Sequence, residues 1–192
     1  MSAQLLPEVE QLRHRWTVAA FHKMVETGLL GEDDRVELIE GELIDMAPIG
    51  SDHSGCVNRL NRTFQAASTR ILVGVQNPVI LDQGSEPQPD ISVLRWRDDF
   101  YAKSHPRPED ILLLIEVADT TARYDREVKV PLYARHAIPE VWLLDLQQRR
   151  LEIYLEPQQG EYMRMEQRRT GSVSPTQLPE INIKIDDLLA HL

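Results

Sequence analysis

The chain has 192 residues, 42% of them hydrophobic and 27% charged, the composition of a folded domain and not of a disordered one. Its 31 acidic and 21 basic residues give a net charge of −10, which excludes long-range attraction to polyanions or to an anionic membrane, so any nucleic-acid contact is local. The single cysteine, Cys56, excludes an intramolecular disulfide and a thiolate-rich zinc site. No apolar run approaches the roughly 20 residues of a membrane span and the first residues lack a signal-peptide core, so the expected compartment is the cytoplasm.

In chain order, Val18, Phe21, Met24 and Val25 recur at helical spacing and predict a first helix over 17–27, with Thr17 as N-cap and Gly28 as the C′ stop. The runs 36–39 and 42–44 are β-prone and joined by Glu40-Gly41, which predicts a hairpin. Val57, Leu60, Phe64, Ala67 and Ile71 mark the buried stripe of a second helix over 51–70, capped by Ser51 or Asp52. Arg59, Arg62 and Arg70 lie off that stripe, on a face turned to solvent or to phosphate.

Strands are predicted at 72–75, 79–81, 91–94 and 111–117, separated by Pro, Gly and Asp. The last is apolar on both faces, as a central covered strand must be. A helical stretch ending near Ala137 then leads to a strand at 141–144, a βαβ crossover. The runs 151–154, 162–165 and 181–185 read as peripheral strands before a short C-terminal helix after Asp186. Neither a repeat nor a linker interrupts the pattern, so one α/β domain over 1–192 is expected.

Two carboxylates stand out. Asp90 opens the strand at 91–94 and Glu116 ends the apolar run 111–115, so pairing of these strands brings both to one sheet edge. A carboxylate in such surroundings costs several kcal/mol unless it is paired, hydrogen-bonded or metal-bound. Two oxygen donors with waters suit Mg²⁺.

Further on, Asp125, Lys129 and Tyr133 are spaced four apart and share one helix face, where an intrahelical ion pair beside a packed tyrosine is the simple reading. Pro131 requires the helix either to begin near 125–128 or to kink. Both alternatives put Lys129 near a helix start, where a cation opposes the macrodipole and needs an anionic neighbour. Glu116, Asp90 or a bound phosphate would serve.

Several motifs succeed one another in a fixed order: Arg35-Val36-Glu37-Leu38-Ile39-Glu40-Gly41-Glu42, Met46-Ala47-Pro48 with His53, Pro89-Asp90-Ile91, Ile115-Glu116-Val117, the Asp125, Lys129, Tyr133 ladder, and Pro139-Glu140-Val141-Trp142-Leu143-Leu144-Asp145. In this order and spacing the chain resembles the Uma-two family of restriction endonuclease-like proteins, within the PD-(D/E)XK nuclease superfamily, from the first helix to about Tyr154. The resemblance implies a restriction endonuclease-like fold, a mixed central β-sheet flanked by helices, with the helix and hairpin at its N-terminus. It implies Asp90 and Glu116 as metal ligands, with the Val117 carbonyl as a third. The usual strand lysine two positions after Glu116 is replaced by Ala118, and Lys129 resembles the relocated lysine of this family.

Second-tier candidates are Glu37, Glu40 and His53, together with Asp125 and Tyr133. Glu37 and Glu40 face opposite sides of a strand, so at most one points into a shared site, and the pattern leaves open which. His53 either bonds a substrate phosphate or caps a helix. Arg95-Trp96-Arg97, with Phe100, Tyr101, Lys103 and Arg107, interleaves basic and aromatic residues as a DNA-contacting segment does, although Asp98, Asp99, Glu109 and Asp110 dilute its charge.

The expected activity is that of a Mg²⁺-dependent endonuclease hydrolysing double-stranded DNA, as a homodimer whose two symmetric sites cut two strands. The alternative is a non-catalytic regulatory or interaction protein that keeps the nuclease scaffold, favoured by Ala118 and the net charge. A hydrolase of small phosphate esters would tolerate the acidic surface but lacks a phosphate-cradling glycine loop.

Overall fold

The computed structural model describes residues 12–31, 33–68 and 70–190. The chain folds into two compact units, residues 1–46 with 82–87, and residues 47–81 with 88–192, a division that falls inside the single domain expected from sequence.

In the first unit, helix α1 (Val18–Glu26) starts where Thr17 Oγ1 accepts the Ala20 N–H at 3.2 Å and stops before Gly28, which takes the left-handed φ of 72° that ends helices cheaply. It buries Val18, Phe21 and Met24. Strands β1 (Val36–Ile39) and β2 (Glu42–Asp45) form the predicted hairpin, turned by Glu40 and Gly41 at φ 49° and 80°. A side chain at Gly41 would meet the Arg15 Cβ at 2.7 Å, so a glycine is required there twice over.

The second unit is built on a six-stranded mixed sheet of order β3-β4-β5-β6-β7-β8, with β3 (Ile71–Val75), β4 (Ile91–Arg95), β5 (Ile111–Ala118), β6 (Glu140–Asp145), β7 (Arg150–Gln158) and β8 (Glu161–Arg168). Only β5 and β6 run parallel, and the helical segment α3, residues 122–135, makes the crossover between them. All eight residues of β5 are buried, as its two-faced apolar pattern demands. At Gly74 the sheet requires a missing side chain, since a Cβ there would lie 2.4 Å from the Ser92 Oγ on the neighbouring strand.

The alternation of side chains along each strand divides the sheet into two unlike faces. On one, Leu113, Ile115, Val117, Trp142, Leu144, Leu151 and Ile153 form the core with Cys56, Val57, Leu60 and Phe64 of α2 (Ser51–Ala67). Helix α4 (Ile185–Leu188) joins that core through Ile185 and Leu188, after a small ladder of β9 (Ser172–Val173) with β10 (Ile183–Lys184). On the other face the register aligns Glu116 with Leu143 and Leu143 with Glu152, and α3 lies against this row.

Several expectations are corrected. Val79 and Leu81 are buried and Ile80 partly so, but 79–81 is not a strand: it lies between Pro78 and the turn residues from Asp82 to Gly84, with a ladder-like bond from Ile80 N to Pro106 O at 2.9 Å. The run at 151–154 is no peripheral strand: β7 extends to Gln158 and is interior, paired with both β6 and β8. Helix α2 is capped by Gly50 with no side-chain cap bond, instead of by Ser51 or Asp52, and ends at Ala67, which is exposed. Ile185 opens α4 instead of closing a strand. Arg59 bonds the Leu188 carbonyl at 3.0 Å, so it anchors α4 and is not presented to solvent or phosphate.

Segment α3 places Pro131 in the first turn of its last α-helical stretch, as one sequence alternative had it, and adds a π-helical turn that neither alternative contained. An α-helical turn, Ala122–Tyr124, passes into a π-helical turn, Asp125–Lys129, and returns to α-helix at Val130–Arg135. The Val130 N–H reaches back to Asp125 O, and this wider turn absorbs both the missing N–H of Pro131 and the clash of its ring with the preceding turn. Lys129 closes the π turn and is the N-cap residue of the α-helix Val130–Arg135, a helix start as expected, with Pro131 in its first turn.

Candidate metal and nuclease site

Asp90 directly precedes β4 and Glu116 lies in β5; the antiparallel register pairs Ile91 with Ile115, so the two acidic residues are the next positions outward on neighbouring strands. Both are buried. The Asp90 carboxylate takes three hydrogen bonds: the Val117 N–H donates to Oδ2 at 2.8 Å, the Gln76 side-chain amide to Oδ1 at 3.1 Å, and His53 Nε2 lies 3.0 Å from Oδ1. His53 is the third residue of α2, and its other ring nitrogen, Nδ1, is buried without a hydrogen-bond partner.

Glu116 is reached from α3. The Tyr133 hydroxyl donates to its Oε1 at 2.6 Å, and Lys129 Nζ lies 3.3 Å from the same oxygen. Asp125, the fourth polar residue of this group, accepts the Thr121 hydroxyl at 2.8 Å. The π turn brings both Lys129 and Asp125 into the interior, each nearly inaccessible.

Burial dominates the electrostatics of Glu116 and pushes its carboxyl up to about 8. Lys129 pulls the value down, Asp125 and Asp90 push it up again, and the Tyr133 hydrogen bond lowers it by less. The contact with Lys129 has the distance of an ion pair, yet one ammonium does not outweigh burial and two acidic neighbours, and the carboxyl stays well above its ordinary range. The cluster is short of positive charge.

Counting lone pairs tests whether these residues suit a hard cation. A carboxylate has about four acceptor sites. Asp90 has both sites of Oδ1 taken by Gln76 and His53 and one of Oδ2 by Val117, which leaves one. Glu116 has Oε1 engaged by Tyr133 and Lys129. Two buried carboxylates at neighbouring strand positions, one with an acceptor site left on Oδ2, are a donor set that fits Mg²⁺, which takes one or two protein carboxylates and keeps its waters.

A family model described as "Putative restriction endonuclease", Uma2, matches residues 18–186. The chain belongs to the Uma2 family. A crystal structure of a putative nuclease belonging to DUF820 from Anabaena variabilis superposes with a TM-score of 0.69, covering 91% of this chain and 97% of that one at 19% sequence identity. That likeness shows that the Uma2 chain shares that protein's fold. No curated protein matches.

The remaining candidates fall elsewhere. Glu37 and Glu40 belong to the first unit, Glu37 buried in β1 and Glu40 exposed in the hairpin turn beyond the strand. Arg95, at the far end of β4 from Asp90, lies about 17 Å along the strand at about 3.4 Å per residue. Its guanidinium bonds Glu109 O at 3.0 Å and Gln177 at 3.3 Å. Arg97 is held by Asp99 and by the Ser104 carbonyl, and stacks on the Tyr101 ring at 3.8 Å from its centroid. Lys103 and Arg107 are exposed.

Sequence reasoning missed three groups around the site. Gln76 gave no signal, since a polar residue after a strand is ordinary. Arg126 and its partners also passed unnoticed: the guanidinium bonds Glu152 through Nε at 3.0 Å and Nη2 at 2.9 Å, and Asp145 at 3.1 Å. Asp145, the last residue of β6, accepts the Gln148 N–H at 2.9 Å and also forms part of this network. Thr121, which holds Asp125, was the third.

Proposed function

We propose that this Uma2 protein is a divalent-cation-dependent endonuclease that hydrolyses phosphodiester bonds of double-stranded DNA. The observation that carries the reading is the charge deficit at Glu116: a carboxyl buried on the strand beside Asp90, with Asp125 also near and one ammonium to meet it, raised to about 8. Such a group is costly to a fold and useful to a site that takes a cation. Asp90 and Glu116 would hold Mg²⁺, with the Val117 carbonyl as a third donor. A bound Mg²⁺ supplies a lowered pKa for the attacking water and neutralises charge that builds on the phosphate.

The chain's own groups have complementary roles. His53, Gln76 and the Val117 N–H fix the Asp90 carboxylate before substrate arrives. Tyr133 holds Glu116 from the α3 side, so its second oxygen stays turned to the ion. Lys129, already within 3.3 Å of Glu116, carries the cation that Ala118 lacks, and its ammonium stabilises the developing negative charge on the scissile phosphate. Lys103 and Arg107 are exposed, as is Arg95, and these cations contact backbone phosphate away from the cleavage point.

A homodimer presents two such sites to the two strands of a duplex, and the reduced Cys56 suits the cytoplasm. Supercoiled plasmid incubated with purified protein and Mg²⁺ or Mn²⁺ tests the reading. Nicked and linear DNA are expected with wild type and intact plasmid with Asp90→Ala. Intact plasmid with both proteins supports the non-catalytic alternative.

A further inference from the structure

Gln76 comes directly after β3, where the chain leaves the sheet, and adopts a φ of 52°. Glutamine is not among the residues that enter the left-handed region readily; Gly, Asn and Asp are. Eight non-glycine residues have positive φ among the described residues. Glu40 and Arg149 lie in β-hairpin turns, Glu156 and Gln159 flank the β7–β8 turn, Ala137 ends α3, and Phe100 and Tyr101 turn the loop after β4. Gln76 alone among them bonds a candidate metal ligand, and it does so twice. Its N–H donates to the Asp90 carbonyl at 3.1 Å and its side-chain amide to Asp90 Oδ1 at 3.1 Å.

We propose that Gln76 is a positioning residue, kept in a strained conformation because its amide occupies Asp90 Oδ1 and thereby forces Asp90 to bind a cation through Oδ2 alone. This rests on the reading of Asp90 and Glu116 as metal ligands. With Oδ1 saturated by Gln76 and His53, Asp90 cannot chelate an ion through both oxygens. Single-oxygen carboxylates suit the six close ligands of Mg²⁺ and Mn²⁺, whereas Ca²⁺ takes six to eight ligands and readily accepts two oxygens of one carboxylate. Gln76 thus acts as a selectivity element, favouring small ions over large ones. The strain is the signature: backbone cost is tolerated where a side chain is needed for function.

Two variants separate this role from simple packing. Gln76→Gly relieves the positive φ and removes the amide; Gln76→Asn keeps a residue at ease in the left-handed region, with an amide one methylene too short for Asp90. Mn²⁺ and Ca²⁺ affinities are measured by titration calorimetry, alongside thermal melting of the metal-free proteins. In both variants Mn²⁺ affinity should fall about tenfold or more, as when a ligand loses its orienting hydrogen bond, and Ca²⁺ affinity should fall less or rise. The metal-free melting temperature of Gln76→Gly should equal or exceed that of wild type. The proposal is overturned if wild type binds Mn²⁺ and both variants match its affinities, or if metal-free Gln76→Gly melts several degrees lower, which would make Gln76 a structural residue. Absence of Mn²⁺ binding by wild type would sink the metal reading itself and this proposal with it.

Discussion

Glu116 and Glu152 stand on the same face of the sheet with Leu143 between them, both buried, both beneath α3, and each met by a cation from one π-helical turn. They end in opposite electrical states. Burial raises Glu152 as it does Glu116, but the Arg126 fork, a Tyr154 hydrogen bond at 2.6 Å and Arg150 at 2.7 Å outweigh it, and its carboxyl is held below the usual range. Glu116 receives one lysine and one tyrosine and has two acidic neighbours, and it is pushed up to about 8. Burial alone therefore does not distinguish a structural carboxylate from a site carboxylate; the partners do. A closed set of donors fixes α3 to the sheet at Glu152, and an incomplete set leaves Glu116 short of positive charge.

The largest way to break the comparison is to open the closed end. Arg126→Ala leaves Glu152 buried with only Arg150 and Tyr154, and should cost about 3 kcal/mol of stability in urea denaturation. A loss below about 1 kcal/mol would mean the Arg126 network is not what holds the segment.

The pH dependence of Glu116 sharpens the contrast. Its folded pKa is raised above the ordinary 4.5, so the folded chain binds the proton more tightly than the unfolded one. The stability this provides is fully present below pH 4.5 and is lost as pH rises toward about 8. Glu116→Gln, which keeps the shape and stays neutral, should match wild type near pH 4.5 and exceed it by a few kcal/mol at pH 8 in metal-free protein. Glu152 carries the opposite sign, contributing above its unfolded pKa and weakening the fold as pH falls. Parallel stability curves for Glu116→Gln and wild type across pH 4.5 to 8 would remove the charge-deficit argument.

The smallest stability effect belongs to Lys129→Met. At pH 7 its carboxyl partner is mostly protonated, so the loss should be about 1 kcal/mol or less. Turnover on plasmid should nonetheless fall far more than DNA affinity, because the ammonium matters most as phosphate charge develops. Equal losses in both would assign Lys129 to binding.

Much of this was legible in the residues. The two-faced apolar run of β5, the Thr17 and Gly28 helix ends and the Glu40-Gly41 turn are local signals, and the structure carries all of them. Asp90 and Glu116 could be brought together on paper because strand pairing needs only that neighbouring strands be consecutive. The π turn could not, since Pro131 signals an interruption but not which of several remedies the backbone adopts. Glu152, Arg126 and Asp145 are distant in sequence and joined only by register, and the φ of Gln76 is set by tertiary context. The basic segment after β4 looked continuous, whereas the acidic residues interleaved in it and the Ser104 carbonyl claim Arg97 and part of Arg95's donors.

The π turn has a further consequence for how this chain tolerates changes of length. Such a turn holds one residue more than the α-helix around it, so deleting a residue within 125–129 would restore ordinary pitch and leave the helix on either side nearly in phase. Arg126 and Lys129 stand three positions apart inside that turn and Tyr133 one turn later, each meeting a fixed row of carboxylates. A substitution retunes one contact at a time, whereas a deletion within the turn re-aims the Arg126 anchor and the Lys129 cation together while Tyr133 keeps its phase.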